Sequence, residues 1–192
     1  SSDLGATPLS DNKGNTFGSA FAAQADTVPS VRAYKCENGS GGSGHTATFT
    51  FAASADPTCI FAELTGVTAA SYDSGSLSQG TDTSSPFTNT TGTFAQANNI
   101  VISWIGSQGA ATGGYAESSG FTIGQQETNS ALFWTAALAY KVVTSTAALT
   151  PSWTITGGAT TAALITAAFK EAATAPTINK SPSSVSIQDN EY

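Results

Sequence analysis

The chain holds one histidine, His45, two cysteines, Cys36 and Cys59, and thirteen acidic residues that are scattered singly. Acid–base, nucleophilic or metal chemistry would have to be assembled from these groups. A Ser-His-Asp arrangement needs an imidazole oriented by its neighbours. His45 follows the glycine-rich run Gly39 to Gly44 with no G-x-S-x-G elbow beside it, and it reads as an exposed loop histidine. Glycoside hydrolysis needs two carboxylates facing each other across a cleft. Only Glu63, near Phe61 and Leu64 in a strand-like run, stands out, and it reads as a sheet-edge acid or one hydrogen-bonded to backbone. Asp11-Asn12-Lys13-Gly14-Asn15 carries oxygen donors at alternate positions. It lacks the calcium-loop spacing and the closing bidentate Glu, so a tight turn is expected. Two cysteines and one histidine are too few ligands for a structural zinc site. No catalytic residue, cofactor site or metal site is assigned.

Cys36 and Cys59 lie at the edges of neighbouring strand candidates. They are read either as a disulfide suited to an oxidising environment or as two buried thiols, and the residues leave both open. Tyr72 and Tyr115 fall in long Gly/Ser stretches and are expected to be exposed contacts, because loops carry function more often than strands. Trp104, Trp134 and Trp153 sit in strand-like runs and are assigned to the core. Three N-glycan sequons, at Asn38, Asn89 and Asn179, are what chance gives in a chain so rich in Asn, Ser and Thr.

These side chains sit on a scaffold in which Ala, Ser, Thr and Gly make up 105 of 192 residues and only 10% of residues are charged. The net charge of −7, with six Lys and Arg in all, argues against nucleic acid and against anionic membrane surfaces, both of which need clustered cations. No apolar run approaches the roughly 20 residues that span a bilayer. Methionine is absent, which fits a processed chain or a fragment of a longer one.

Thr46 to Phe51 alternates small polar and apolar residues, the period of a half-buried strand, with Ala47, Phe49 and Phe51 inward. Further strands are expected at 30–36, 59–64, 90–94, 99–105, 121–127, 131–143 and 150–156. Ala162 to Phe169 would favour a helix on propensity alone, but its short apolar run in a β context reads as a central strand. Residues 37–45, 71–86 and 106–120 read as flexible loops. The expected fold is all-β, an antiparallel, jelly-roll-like β-sandwich of about ten strands in residues 1–173. Residues 174–192 read as a linker and the first strand of a further domain.

Ser10 to Thr16, Ala62 to Val67, Ala97 to Ile102, Ala137 to Val142, Pro151 to Thr154 and Ala167 to Lys170 are short motifs spread along most of the chain. With them, the stretch from Ser10 to Phe169 resembles a β-sandwich module of phage virion proteins and large secreted bacterial surface proteins. The tail, Ala175 to Ile187, resembles the lead-in to a bacterial immunoglobulin-like domain. The resemblance implies display or attachment and transfers no binding site. The expected function is a non-enzymatic virion structural protein, a capsid decoration or head-fibre module on the particle surface. Its expected partners are capsid or other virion proteins and further copies of itself. The alternative is a secreted bacterial adhesin that binds host surface glycans.

Overall fold

A computed structural model describes residues 4–24, 31–51, 58–108, 114–129, 134–158, 161–172, 177–179 and 185–189. All the regular structure in them is β. The first strands are β1 (Leu4–Asp11), β2 (Ala22–Gln24), β3 (Val31–Ala33), β4 (Ala47–Phe51) and β5 (Glu63–Thr65). Next come β6 (Val67–Asp82), β7 (Phe87–Thr88), β8 (Asn98–Gln108), β9 (Tyr115–Glu117) and β10 (Thr122–Asn129). The last are β11 (Trp134–Thr144), β12 (Ser152–Ile155), β13 (Thr161–Glu171), β14 (Thr177–Asn179) and β15 (Val185–Asp189).

The body is a β-sandwich built around a five-stranded antiparallel sheet, ordered β10-β11-β8-β13-β6. Both faces of that sheet are covered. On one face Val101, Ile105, Ala137, Ala139, Leu164 and Ala168 meet Phe87, Tyr115 and Trp153 from the small sheet β7-β12-β9. On the other face Ile100, Ile102, Leu138, Ala167 and Phe169 meet Phe21, Ile60, Ala62 and Leu64. Every residue from Ala162 to Phe169 is therefore buried, and small side chains let two layers close on one strand. Burial on both sides, rather than helix propensity, explains the alanines of β13.

Several stretches differ from expectation. Of the strand expected at 59–64 only the end enters β5, residues 59–62 being coil, and of that expected at 30–36 only Val31–Ala33 is strand among the described residues. Residues 71–86, read as a loop for their Ser, Gly and Asp content, form most of the 16-residue β6. Its ladder to β13 overrides the weak propensity. Where that ladder shifts register, side chains stand in for it: Ser76 Oγ donates to the Asp73 carbonyl at 2.6 Å and accepts the Ala168 N–H at 2.8 Å. A Cβ on Gly92 would lie 2.1 Å from the Gly75 carbonyl oxygen, so the segment crossing this bulge has room for glycine alone. Residues 90–94, expected to be a strand, are coil tied to the segment before β12 by Thr91 N–H to Leu149 O and Phe94 N–H to Thr146 O, each 2.9 Å. The stretch 106–120 continues β8 to Gln108 and contains β9.

The tail also departs from its reading as a linker and an unpartnered first strand. Ile178 of β14 pairs with Leu64 of β5, and β15 runs parallel to β4 from Val185 beside Ala47 to Asp189 beside Phe51. Both strands find hydrogen-bonding partners in the body. Among the described residues there are fifteen strands, thirteen of them before residue 173 where about ten were expected: many are two- to five-residue pieces, too short to mark the sequence with a period.

Candidate functional site

The chemistry-bearing side chains meet on the face covered by β5 and the glycine-rich loop. Asp11 ends β1 and folds the following turn around itself, its Oδ1 accepting the N–H groups of Lys13 at 3.1 Å and Asn15 at 2.9 Å. The expected tight turn is there, with Gly14 at φ 73°. The glycine-rich loop docks on that turn. Asn15 accepts the Ser40 N–H at 2.6 Å and donates to the Ser40 carbonyl at 2.8 Å, and Asn12 donates to the Gly44 carbonyl at 2.8 Å. A loop expected to be free is thus held at several points. Its glycines are needed for close approach: a Cβ on Gly41 would sit 2.7 Å from the Glu63 carboxylate.

This interlock places His45 between two acids. Its Nε2 lies 2.7 Å from Asp11 Oδ2, and its Nδ1 is hydrogen-bonded to Glu63 Oε1. The side chains of His45 and Asp11 are only 3% and 0% exposed. Phe61 packs edge-on against the imidazole, with ring centres 4.9 Å apart. The expectation of an exposed histidine fails here because the turn and β5 bring two carboxylates from 34 and 18 positions away.

Burial by itself would lower the His45 pKa. The hydrogen bonds and charges of Glu63 and then Asp11 outweigh it and hold the pKa above the ordinary 6.5. Asp11 shows the converse: burial would raise it, but the Asn15 N–H, His45 and further donors keep it below 3.8. Each ring nitrogen is engaged with a carboxylate oxygen, so neither is left open to a nucleophile or a metal. The trio is an ionic clasp joining three segments. Among the described residues no group of three or more His, Cys, Asp or Glu side chains is arranged to hold a metal ion.

A pH dependence follows. The His45 contribution to stability is complete below its unfolded pKa and disappears as pH rises through the higher folded value. The Asp11 contribution is present above 3.8 and disappears as pH falls through its lower folded value. The urea midpoint is therefore expected to fall as pH rises from 6.5 toward about 8, below the range in which the unfolded-state thiol ionises while the buried Cys59 stays protonated. The same titration of a His45→Gln variant should be flat over that interval; an unchanged slope would place the titrating group elsewhere.

The clasp forms part of the wall of a cavity of about 840 Å³ between the central sheet and its cover. A dry, closed void of that volume would cost about 20 kcal/mol at roughly 24 cal/mol per Å³. That exceeds the whole stability of an ordinary domain, about 5–15 kcal/mol, so this cavity communicates with solvent. Trp104, Ile102, Leu138 and Phe169 of the central sheet face it, with Phe21, Tyr34 and Phe61 on the cover. Lys35 and Glu37 pair across 2.6 Å on the same wall.

Compared with known proteins, the chain matches no family model, no curated protein and no solved structure. Its site is accordingly read from geometry alone.

The residues singled out from sequence take different places. Tyr115 is not an exposed contact. It is 6% exposed on β9, T-stacked on Trp153 at 5.9 Å, its hydroxyl bonded to Ser107 at 3.0 Å and Thr135 at 2.6 Å. Tyr72 lies half-buried on β6, its ring 4.8 Å from that of Phe21 and under the Lys35 ammonium at 5.2 Å. Neither residue stands in a loop, so the expected pair of loop contacts is not formed. Cys36 and Cys59 both line the cavity as free thiols rather than a disulfide. Burial pushes the Cys59 thiol up to about 11, which keeps it protonated and a poor nucleophile. Trp153 is fully buried, as expected of a core residue; Trp104, also assigned to the core, is only half-buried and faces the cavity, and the Trp134 side chain lies outside the described residues.

Proposed function

We propose that this chain is a non-enzymatic display module, a capsid decoration or head-fibre component on a virion surface. The observation that carries this reading is the inward direction of its polar chemistry. Asp11, Asp73, Asp82 and Glu117 each accept two or more backbone N–H groups, and the only histidine is locked between carboxylates. The exposed surface is left largely to Ser, Thr, Gly and Asn, and Val142 is the one exposed large hydrophobic residue among those described. Such a surface suits attachment through shape and hydrogen bonds, repeated in symmetric copies. Density-gradient sedimentation of the native source with mass spectrometry of each fraction tests it. The chain is expected to travel with DNA-filled particles in fixed ratio to a shell protein and to stay attached in moderate salt; recovery only with cell envelopes or in the soluble fraction overturns the reading.

A second reading, a glycan-binding surface module, is favoured by one specific feature. Around the cavity Phe21, Tyr34, Phe61 and Trp104 are only half-buried, whereas Phe87, Tyr115 and Trp153 on the opposite face are closed off.

A further inference from the structure

The two faces of the central sheet differ in how they treat aromatic residues. Under the small sheet, Phe87, Phe94, Tyr115, Phe121 and Trp153 are all less than a tenth exposed. Around the cavity Phe17 and Phe169 are closed off in the same way, but Phe21, Tyr34, Phe61 and Trp104 are only half-buried, and they stand in one concavity of about 840 Å³. That volume falls in the range of small-molecule sites, about 300–1,000 Å³. Several half-buried aromatic residues therefore share this one cavity.

The charges of the wall narrow the chemistry. Lys35 pairs with Glu37, and His45 lies between Glu63 and, behind it, Asp11, whereas Arg32 stands outside these pairs among the described residues, its buried Nε without a hydrogen-bond partner. Most of the wall's charges are already paired with one another, so a strongly charged guest has Arg32 alone to gain from. An acyl chain is poorly matched too, because ion pairs, the Asn15 amide and the Ser40 hydroxyl share the lining with the rings. Sugar rings fit both halves of this surface: their C–H faces lie on aromatic planes while their hydroxyls reach amides, hydroxyls and guanidinium donors.

We infer that this cavity, walled by Tyr34, Phe61 and Trp104, is a binding site for a neutral oligosaccharide. The inference rests on the glycan-binding reading and moves its site from the Tyr72 and Tyr115 positions to the opposite side of the sheet from Tyr115. It is independent of whether the chain rides on a particle.

The test titrates the full chain with neutral oligosaccharides of glucose, mannose, galactose and N-acetylglucosamine, followed by tryptophan fluorescence and calorimetry. At least one series is expected to bind at millimolar concentration or better and to change the fluorescence of Trp104. Tyr34→Ala and Phe61→Ala, both outside strands, are each expected to weaken that binding at least about tenfold, or 1.4 kcal/mol, with the circular dichroism unchanged. Trp104→Phe keeps an aromatic surface and should bind while losing the fluorescence change, which keeps the test decisive if an alanine variant fails to fold. Saccharide binding untouched by Tyr34→Ala and Phe61→Ala overturns this site and leaves the glycan reading standing. Absence of binding by every series, or occupation by oleate alone, overturns both.

Discussion

Replacing His45 by Gln is expected to lower the unfolding free energy by about 3–5 kcal/mol, the cost of removing one partner from a buried ion pair. The loss falls unequally on the two acids. Asp11 keeps its N–H donors from Lys13 and Asn15 and the Asn15 amide at 2.5 Å. Among the described residues Glu63 keeps the Gly42 N–H alone, at 3.2 and 3.3 Å from its two oxygens. A buried carboxylate with so little left is the main source of the penalty, so adding Glu63→Gln to the His45→Gln variant should recover a substantial part of it. Urea unfolding at pH 6 reads both effects as midpoint shifts at constant slope. If His45→Gln moves stability by less than about 1 kcal/mol, the range of exposed pairs, the trio is not a buried ion pair at all.

Trp153→Ala is the second large effect, with an expected cost of about 3–5 kcal/mol for an aromatic deleted from a core. Trp153 has no exposed surface and fills the space between β12 and the central sheet. Its indole N–H donates to Ser103 Oγ at 3.0 Å, and Ser103 is also hydrogen-bonded to Thr166 at 3.0 Å. Trp153→Phe retains most of the volume but removes the indole donor from Ser103, which keeps its bond to Thr166, so its cost should be smaller and come mainly from the polar network. Thermal unfolding of both variants checks the order; a Phe variant as damaged as the Ala variant would make the hydrogen bond, and not the packing, the dominant contribution.

What could be read in the sequence was whatever depends on short-range period. Thr46 to Phe51, Asn99 to Ile105 and Ala162 to Phe169 carry enough alternation or apolar content to declare strands, and they form β4, β8 and β13. The sandwich class follows from them. The long β6 was hidden because Ser, Gly and Asp residues are held there by a partner strand about ninety positions away. The clasp was hidden for the same reason. Asp11, His45 and Glu63 each drew notice singly, but no spacing rule connects a turn, a glycine-rich loop and a three-residue strand. Tyr115 was misplaced because its surroundings in sequence are those of a loop, while its hydroxyl partners, Ser107 and Thr135, come from β8 and β11.

The order of strands in the central sheet has a bearing on how the molecule comes into being. β13 lies between β6 and β8, yet it is the last of the five to emerge from a ribosome. Until residue 171 has been made, β6 lacks its neighbour in the sheet and β8 is open along one edge. Closing such distant pairings costs loop entropy before any contact repays it, which places assembly on the slow side for a domain of this size. During that interval the chain resembles an unfinished sheet with bare edges, the form in which β-proteins pair with one another. The scarcity of large apolar residues along β6, with Ser, Gly and Asp in their place, makes that waiting edge a poor template for the wrong partner.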